Sequence, residues 1–190
     1  AAGTRALVLG LGRTGLSAAR YLDRKGLTVR VADTRENPPG ADALRANVPA
    51  AELRTGAFSS SLLDNVAQVV ISPGLSLQEP VVCAARERGF PVVGDIELFA
   101  REAPAPIAAI TGTNGKSTVT TLVAEIANAG GRRAVAGGNL GEPALDLLGL
   151  EAQPALPVVE YDEGIPGPVH LPEFYGGRFR VMRAPKLERR

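Results

Sequence analysis

Along most of the 190-residue chain, apolar runs of strand length alternate with helix-spaced apolar patterns. "RALVLG" (5–10) is short, apolar and closed by glycine, which predicts a buried strand. "TGLSAARYLDRKG" (14–26) carries its apolar residues at helical spacing and stops at Gly26, a C-terminal capping residue. "TVRVAD" (28–33) predicts a second strand, followed by a polar stretch with the turn "NPPG" (37–40). "QVVISPG" (68–74) is a strand running into a Pro-Gly turn, and "SLQEPVVCAARERG" (76–89) is a helix with Pro80 near its first turn, where proline is tolerated. "PVVGD" (91–95) is a further short strand, and "DIELFAREA" (95–103) starts a helix with Asp95 as its N-cap. Strand–helix alternation of this kind argues for an α/β fold, a parallel sheet covered by helices.

"APAP" (103–106) breaks the pattern: two prolines in four residues cannot continue a helix and suit a stiff linker. A new strand, "IAAITG" (107–112), begins straight after it and leads to a helical pattern, "STVTTLVAEIANAG" (117–130). The expected organisation is a Rossmann-like parallel-sheet domain over 1–102, a linker over 103–106 and a partial P-loop α/β domain over 107–160. Residues 161–190 are rich in Pro, Gly and Arg without a sustained period, and read as a loop-like tail with one strand at "RFRVMR" (178–183). The second domain has few strands, so a thin half-sheet with an exposed edge and apolar face is expected, one that is less stable than the first domain or leans on it.

Composition adds boundaries. At 45% hydrophobic and 22% charged the chain is ordinarily globular, and with 4% aromatics and no tryptophan its core must be built from Ala, Val, Leu and Ile. A net charge of +1 gives no case for a nucleic-acid or anionic-membrane surface. The single cysteine, Cys83, has no partner for an internal disulfide and reads as a small buried hydrophobe. No apolar stretch is long enough to span a bilayer, and the N-terminal apolar run is short and broken by glycine, so it reads as a strand and not a signal sequence. The expectation is a cytoplasmic monomer with no membrane insertion and no nucleic-acid partner.

Two glycine-rich turns carry candidate chemistry. Phosphate binding needs inward-facing backbone N–H groups, a helix N-terminus behind them, a lysine, and a hydroxyl for Mg²⁺. "IAAITGTNGKSTVTTLV" supplies strand, turn and helix in that order, with Gly112, Thr113, Asn114 and Gly115 in the turn, then Lys116, Ser117 and Thr118. Gly112 and Gly115 permit close backbone approach, Lys116 would reach the β- and γ-phosphates of ATP, and Ser117 would hold the metal. The usual P-loop pattern asks for glycine where Ile110 stands, and a helix start that merely turns on Gly and Thr is the alternative. In the first turn, Gly10, Gly12 and Gly15 form G-x-G-x-x-G between a strand and a helix, and Asp33 ends the next strand near the offset of a ribose-binding carboxylate. That pattern admits NAD, another nucleotide or a sugar nucleotide, or tight strand-to-helix packing with no ligand. An NAD-dependent oxidoreductase would also need an acid or base, and the single histidine, His170, lies in the Pro-rich tail.

Together the segments "GLGRTG" (10–15), "DTRENPPG" (33–40), "ISPG" (71–74), "VGDIELFAREAPAPIAAITGTNGKSTVTTLV" (93–123) and "GGNLGEPAL" (137–145) resemble the Mur ligases of peptidoglycan synthesis, over about residues 5–160. The resemblance implies a Rossmann-like first domain holding the UDP end of a sugar substrate and a P-loop in an ATP-binding central domain. It places Arg13, Thr14, Asp33, Thr34 and Gly74 where UDP is contacted, and Lys116, Ser117 and Thr118 at the ATP phosphates. It places Asn139 and Glu160 near the γ-phosphate and Mg²⁺, so that Lys116, Asn139 and Glu160 are the implied catalytic residues and Ser117 and Glu160 the implied metal ligands. The implied reaction phosphorylates the L-alanine carboxylate of UDP-N-acetylmuramoyl-L-alanine with ATP, after which the amine of D-glutamate attacks the acyl phosphate. Other roles stay open: Asp33 could cap a turn in "DTREN", Asn139 could be a left-handed turn residue, and Asp95 and Glu97 could serve the helix start. "VVE" (158–160) is followed by "YDEGIPGP", which departs from the family pattern; a nucleotide-binding fragment without catalysis is therefore the companion reading.

Overall fold

The computed structural model describes residues 5–112, 114–150 and 154–160, and the backbone of 179–183. Thr113, His170 and the tail apart from that strand lie outside the described residues. Contacts divide the chain into two compact units, Ala1–Asp95 and Ile96–Arg190. The helix expected to close the first unit thus falls almost wholly in the second.

The first unit contains β1 (Arg5–Leu9), α1 (Arg13–Arg24), β2 (Thr28–Asp33), α2 (Ala41–Asn47), β3 (Glu52–Thr55), β4 (Val66–Ile71), α3 (Pro80–Glu87) and β5 (Val92–Val93). The five strands form one sheet in the order β3-β2-β1-β4-β5, every pairing parallel. β1 is buried along nearly its whole length, as an inner strand of a sheet covered on both faces should be. α1 ends as its sequence suggested: Gly26 takes φ +77°, Gly26 N–H donates to Asp23 O at 2.8 Å and Leu27 N–H to Leu22 O at 3.1 Å. α3 starts later than its apolar pattern, with Pro80 in the first turn. Cys83 is half-buried on it.

Two elements had no apolar pattern to announce them. α2 and β3 follow the "NPPG" turn, where no element was expected, and β3 is held by charge more than by burial. The Arg30 guanidinium on β2 pairs with Glu52 at 2.8 Å and donates to Leu62 O at 2.7 Å, tying the edge strand and the 3-10 turn Ser60–Leu63 to the sheet.

The second unit contains most of α4 (Asp95–Glu102), then β6 (Ile107–Thr111), α5 (Lys116–Ala129), β7 (Ala134–Gly138), a 3-10 turn over Ala144–Gly149, β8 (Leu156–Glu160) and β9 (Phe179–Arg183). α4 begins at Asp95 itself, so Asp95 is the first helical residue and not the cap. The sheet order is β7-β8-β6-β9, again parallel throughout. β9 lies in the strand-like segment of the tail and pairs with β6 along its full length. The core beneath α5 is small: Ala108, Ile110, Ala124, Ala134 and Val158, flanked by Val119, Val123, Ala127, Ala136 and Leu156. Asn128 closes the end of α5, its amide donating to Ala124 O at 2.8 Å and Ala134 O at 3.0 Å and accepting from Ala134 N–H at 3.0 Å. The large apolar side chains left exposed among the described residues, Leu122, Ile126 and Leu150, all belong to this unit. No helix among the described residues is long and apolar enough to cross a membrane.

Candidate functional site

In the first unit the chain runs from β1 outward to β2 and β3 and then returns to β4, so the strand order reverses beside β1. Ligands of open parallel sheets lie at the carboxyl ends of the strands flanking that reversal. Two loops meet there. Gly10 takes φ +90°, and a Cβ on it would sit 2.9 Å from Ser72 Oγ. Ser72 Oγ donates to Gly10 O at 3.2 Å, and Ser72 N–H donates to Leu9 O at 3.0 Å. A Cβ on Gly15 would collide with Gly10 O, so this glycine lets α1 press against the end of β1. Gly12, in contrast, has open space where a Cβ would be. Packing alone explains Gly10 and Gly15; it does not explain Gly12.

Asp33 closes β2 and is buried. Its Oδ2 accepts the Leu11 N–H at 2.7 Å and the Arg35 guanidinium at 2.7 Å, while Oδ1 accepts Arg35 N–H at 2.9 Å and Arg35 Nε at 2.8 Å. The Arg35 hydrogen bond outweighs the cost of burial and, with the Leu11 amide, holds the Asp33 carboxyl down at about 2. Both carboxylate oxygens are thus engaged within the chain, and the Asp33–Arg35 amide contact is the turn cap that "DTREN" allowed. The carboxylate fixes the glycine turn from beneath. Arg13 and Thr14 open α1 directly after Gly12, and Thr34 and Gly74 are exposed at the ends of the neighbouring strands. The sequence reading gave no role to Arg35 or Ser72, although both lie inside the quoted segments 33–40 and 71–74; neither residue type advertises such a role.

In the second unit β6 ends at Thr111, and Gly112 takes φ +138°. Gly115 caps α5 in the left-handed region at φ +73°, a conformation that favours glycine. Lys116 opens the helix and its Nζ donates to Gly112 O at 3.0 Å, folding the ammonium over the turn. Ser117 and Thr118 follow on exposed positions, Asn114 is exposed, and Ile110 is wholly buried in the strand, where a glycine would leave a hole. Glu160, the last residue of β8, pairs in register with Ile110 on one side and Gly138 on the other. Asn139 N–H donates to Glu160 O at 3.1 Å. Asn139 is not the left-handed turn residue: among the described residues the only non-glycine with positive φ is Asn65, and the positive φ values here belong to Gly138 and Gly141. The fold therefore brings Gly112, Gly115, Lys116, Ser117, Asn139 and Glu160 to the carboxyl end of one sheet.

Mg²⁺ takes oxygen ligands and commonly binds through one or two carboxylates plus phosphates. Glu160 is 7% exposed, and its Oε2 has no hydrogen-bond partner among the described residues. A buried, unsatisfied carboxylate oxygen is costly unless a cation meets it, so the residues present fit the ion.

Residues 4–94 match the family model described as the Mur ligase MurD-like N-terminal domain. Over that stretch the chain is similar to the N-terminal domain of the Mur ligases. The chain is 54% identical over 142 residues to the UDP-N-acetylmuramoylalanine–D-glutamate ligase of Nitrosococcus oceani, covering 75% of this chain and 31% of that protein. The enzyme of the same name from Pseudomonas aeruginosa is also 54% identical over 142 residues, with 75% and 32% covered. The chain thus spans about a third of the length of the curated relatives it matches. Among solved structures, the murein peptide ligase from Psychrobacter arcticus superposes with a TM-score of 0.54 at 21% identity, over 87% of this chain and 39% of that one. That likeness supports the α/β fold.

Proposed function

We propose that this chain carries the nucleotide-binding part of a ligase of peptidoglycan-precursor synthesis, one that adds D-glutamate to UDP-N-acetylmuramoyl-L-alanine at the expense of ATP. The observation that carries the reading is the run of 142 residues at 54% identity to relatives of that name, which extends beyond the matched N-terminal domain. Two glycine turns, each at the carboxyl edge of its own parallel sheet, support it.

In this reading Gly12, Arg13, Thr14, Thr34 and Gly74 meet the UDP end of the substrate. Asp33 acts beneath them, holding the Leu11 amide and therefore the turn. The amides of Gly112–Gly115, with Thr113 and Asn114 among them, cradle the ATP phosphates, and Lys116 leaves Gly112 O to reach the β- and γ-phosphates. Ser117, Thr118 and Asn139 line the same end of the sheet, and Ser117 with Glu160 would hold Mg²⁺. Bound there, Mg²⁺ would neutralise charge that builds on the transferring phosphoryl group. A carboxylate oxygen of the L-alanine moiety attacks the γ-phosphorus and ADP leaves. The amine of D-glutamate then attacks the acyl carbon, inorganic phosphate leaves, and the amine gives up a proton as the amide forms.

Because the chain spans about a third of the relatives' length, binding is the proper test. Calorimetry with UDP-N-acetylmuramoyl-L-alanine, ATP–Mg²⁺ and NAD should show the first two binding and NAD failing to bind. Lys116→Ala should weaken ATP by at least tenfold and leave the UDP-sugar untouched. Preference for NAD over the UDP-sugar would remove the proposal. The reading in which the chain binds both ligands without turnover is favoured if no phosphate is released when D-glutamate is added.

A further inference from the structure

Gly138 ends β7 directly beside Glu160, and its backbone takes φ +96°. A Cβ built on Gly138 falls onto the Glu160 carbonyl oxygen and within 3.1 Å of the Glu160 nitrogen. The approach is fixed from both sides: Gly138 N–H donates to Glu142 O at 2.9 Å, and Asn139 N–H donates to Glu160 O at 3.1 Å. No other side chain could occupy position 138 without pushing the end of β8 away from β7. Glu160 also pairs with Ile110, two residues before the Gly112 turn, so a push on its backbone changes how its carboxylate stands relative to that turn.

We infer that Gly138 is a positioning residue for Glu160, setting the place of the metal-binding carboxylate relative to the phosphate turn. The inference rests on the proposed Mg²⁺ role of Glu160. It goes beyond that role in assigning the geometry to a backbone contact on a different strand. The absence of a Cβ at 138 lets β7 and β8 close together, and closure leaves Glu160 Oε2 buried and unsatisfied until a cation arrives.

The test is the Mg²⁺ dependence of ATP binding, measured by calorimetry with Mg²⁺ and with EDTA on the full chain. The unaltered chain should bind ATP at least tenfold more tightly with Mg²⁺. In Gly138→Ala that gain should fall below threefold, while affinity in EDTA stays within twofold, because Lys116 and the Gly112–Gly115 turn are untouched. Gly141→Ala is the control: Gly141 also takes positive φ, at +72°, but its Cβ would meet nothing within 4 Å, so the full Mg²⁺ gain should survive. Should Gly138→Ala fail to fold by circular dichroism, the unaltered chain decides. Mn²⁺–ATP should broaden the Gly138 and Asn139 amide resonances beyond detection, and sharp resonances there would overturn the inference. A Mg²⁺ gain preserved in a folded Gly138→Ala would overturn it while leaving the proposed function standing. No ATP binding by the unaltered chain, with or without Mg²⁺, would remove the proposed function and this inference with it.

Discussion

Replacing Asp33 with asparagine tests whether a carboxylate braces the first glycine turn from below. The side chain is 3% exposed and receives the Leu11 amide and three hydrogen bonds from Arg35. These hold its carboxyl at about 2, against an ordinary 3.8. At roughly 1.36 kcal/mol per pH unit the difference is worth about 2 kcal/mol. Arg35 is half-exposed, so water screens part of the pairing and roughly 1–2 kcal/mol is the expected loss at neutral pH. Asparagine keeps an oxygen for the Leu11 amide but cannot pair ionically with the guanidinium. The sign follows from linkage: a folded-state value below the ordinary one stabilises the fold above pH 3.8, and that stabilisation is lost as the pH falls through about 2. Urea unfolding by far-ultraviolet circular dichroism, run on both proteins at neutral pH and near the folded-state value, measures the difference directly. The gap between them should shrink toward zero in acid. A gap that is absent at neutral pH, or that does not change with pH, would refute the reasoning.

Other outcomes follow from the same packing. Gly15→Ala should destabilise the first unit by several kcal/mol, because its Cβ meets Gly10 O, whereas Gly12→Ala should cost about 1 kcal/mol or less and instead weaken binding of the UDP-sugar; paired thermal melts and calorimetry separate the two. Asn128→Ala removes the clasp between α5 and β7 and should cost the second unit about 1–3 kcal/mol, read as faster amide exchange at Ala134. Ile126→Glu should leave stability within about 0.5 kcal/mol, since the side chain is 69% exposed; a larger loss in a urea titration would mean that something covers it.

What the sequence disclosed follows the physics of burial. Inner strands such as β1 and β6 are apolar except for one terminal residue each, Arg5 and Thr111, because both faces are covered, and their runs stand out. Gly26 and Pro80 mark the end of α1 and the start of α3 because backbone geometry demands those residue types. β3 and α2 did not stand out. β3 is four residues long, sits at an edge and is held by Glu52 through Arg30, an interaction that leaves no periodic trace. The two glycine turns were legible as glycine spacings between strand and helix. The support around them was not. The grip of Asp33 on Leu11 and Arg35, and the seat that Gly138 gives Glu160, depend on which strands lie side by side, and that is a property of the sheet.

The most direct measurement is residue-resolved: an amide NMR titration of the chain with UDP-N-acetylmuramoyl-L-alanine and then with ATP–Mg²⁺. The account predicts that the UDP-sugar shifts the amides of Leu11, Gly12, Thr34 and Gly74, and that ATP–Mg²⁺ shifts those of Gly115, Lys116, Ser117 and Asn139. Shifts of both sets by one ligand, or of the first set by NAD and not by the UDP-sugar, would contradict it.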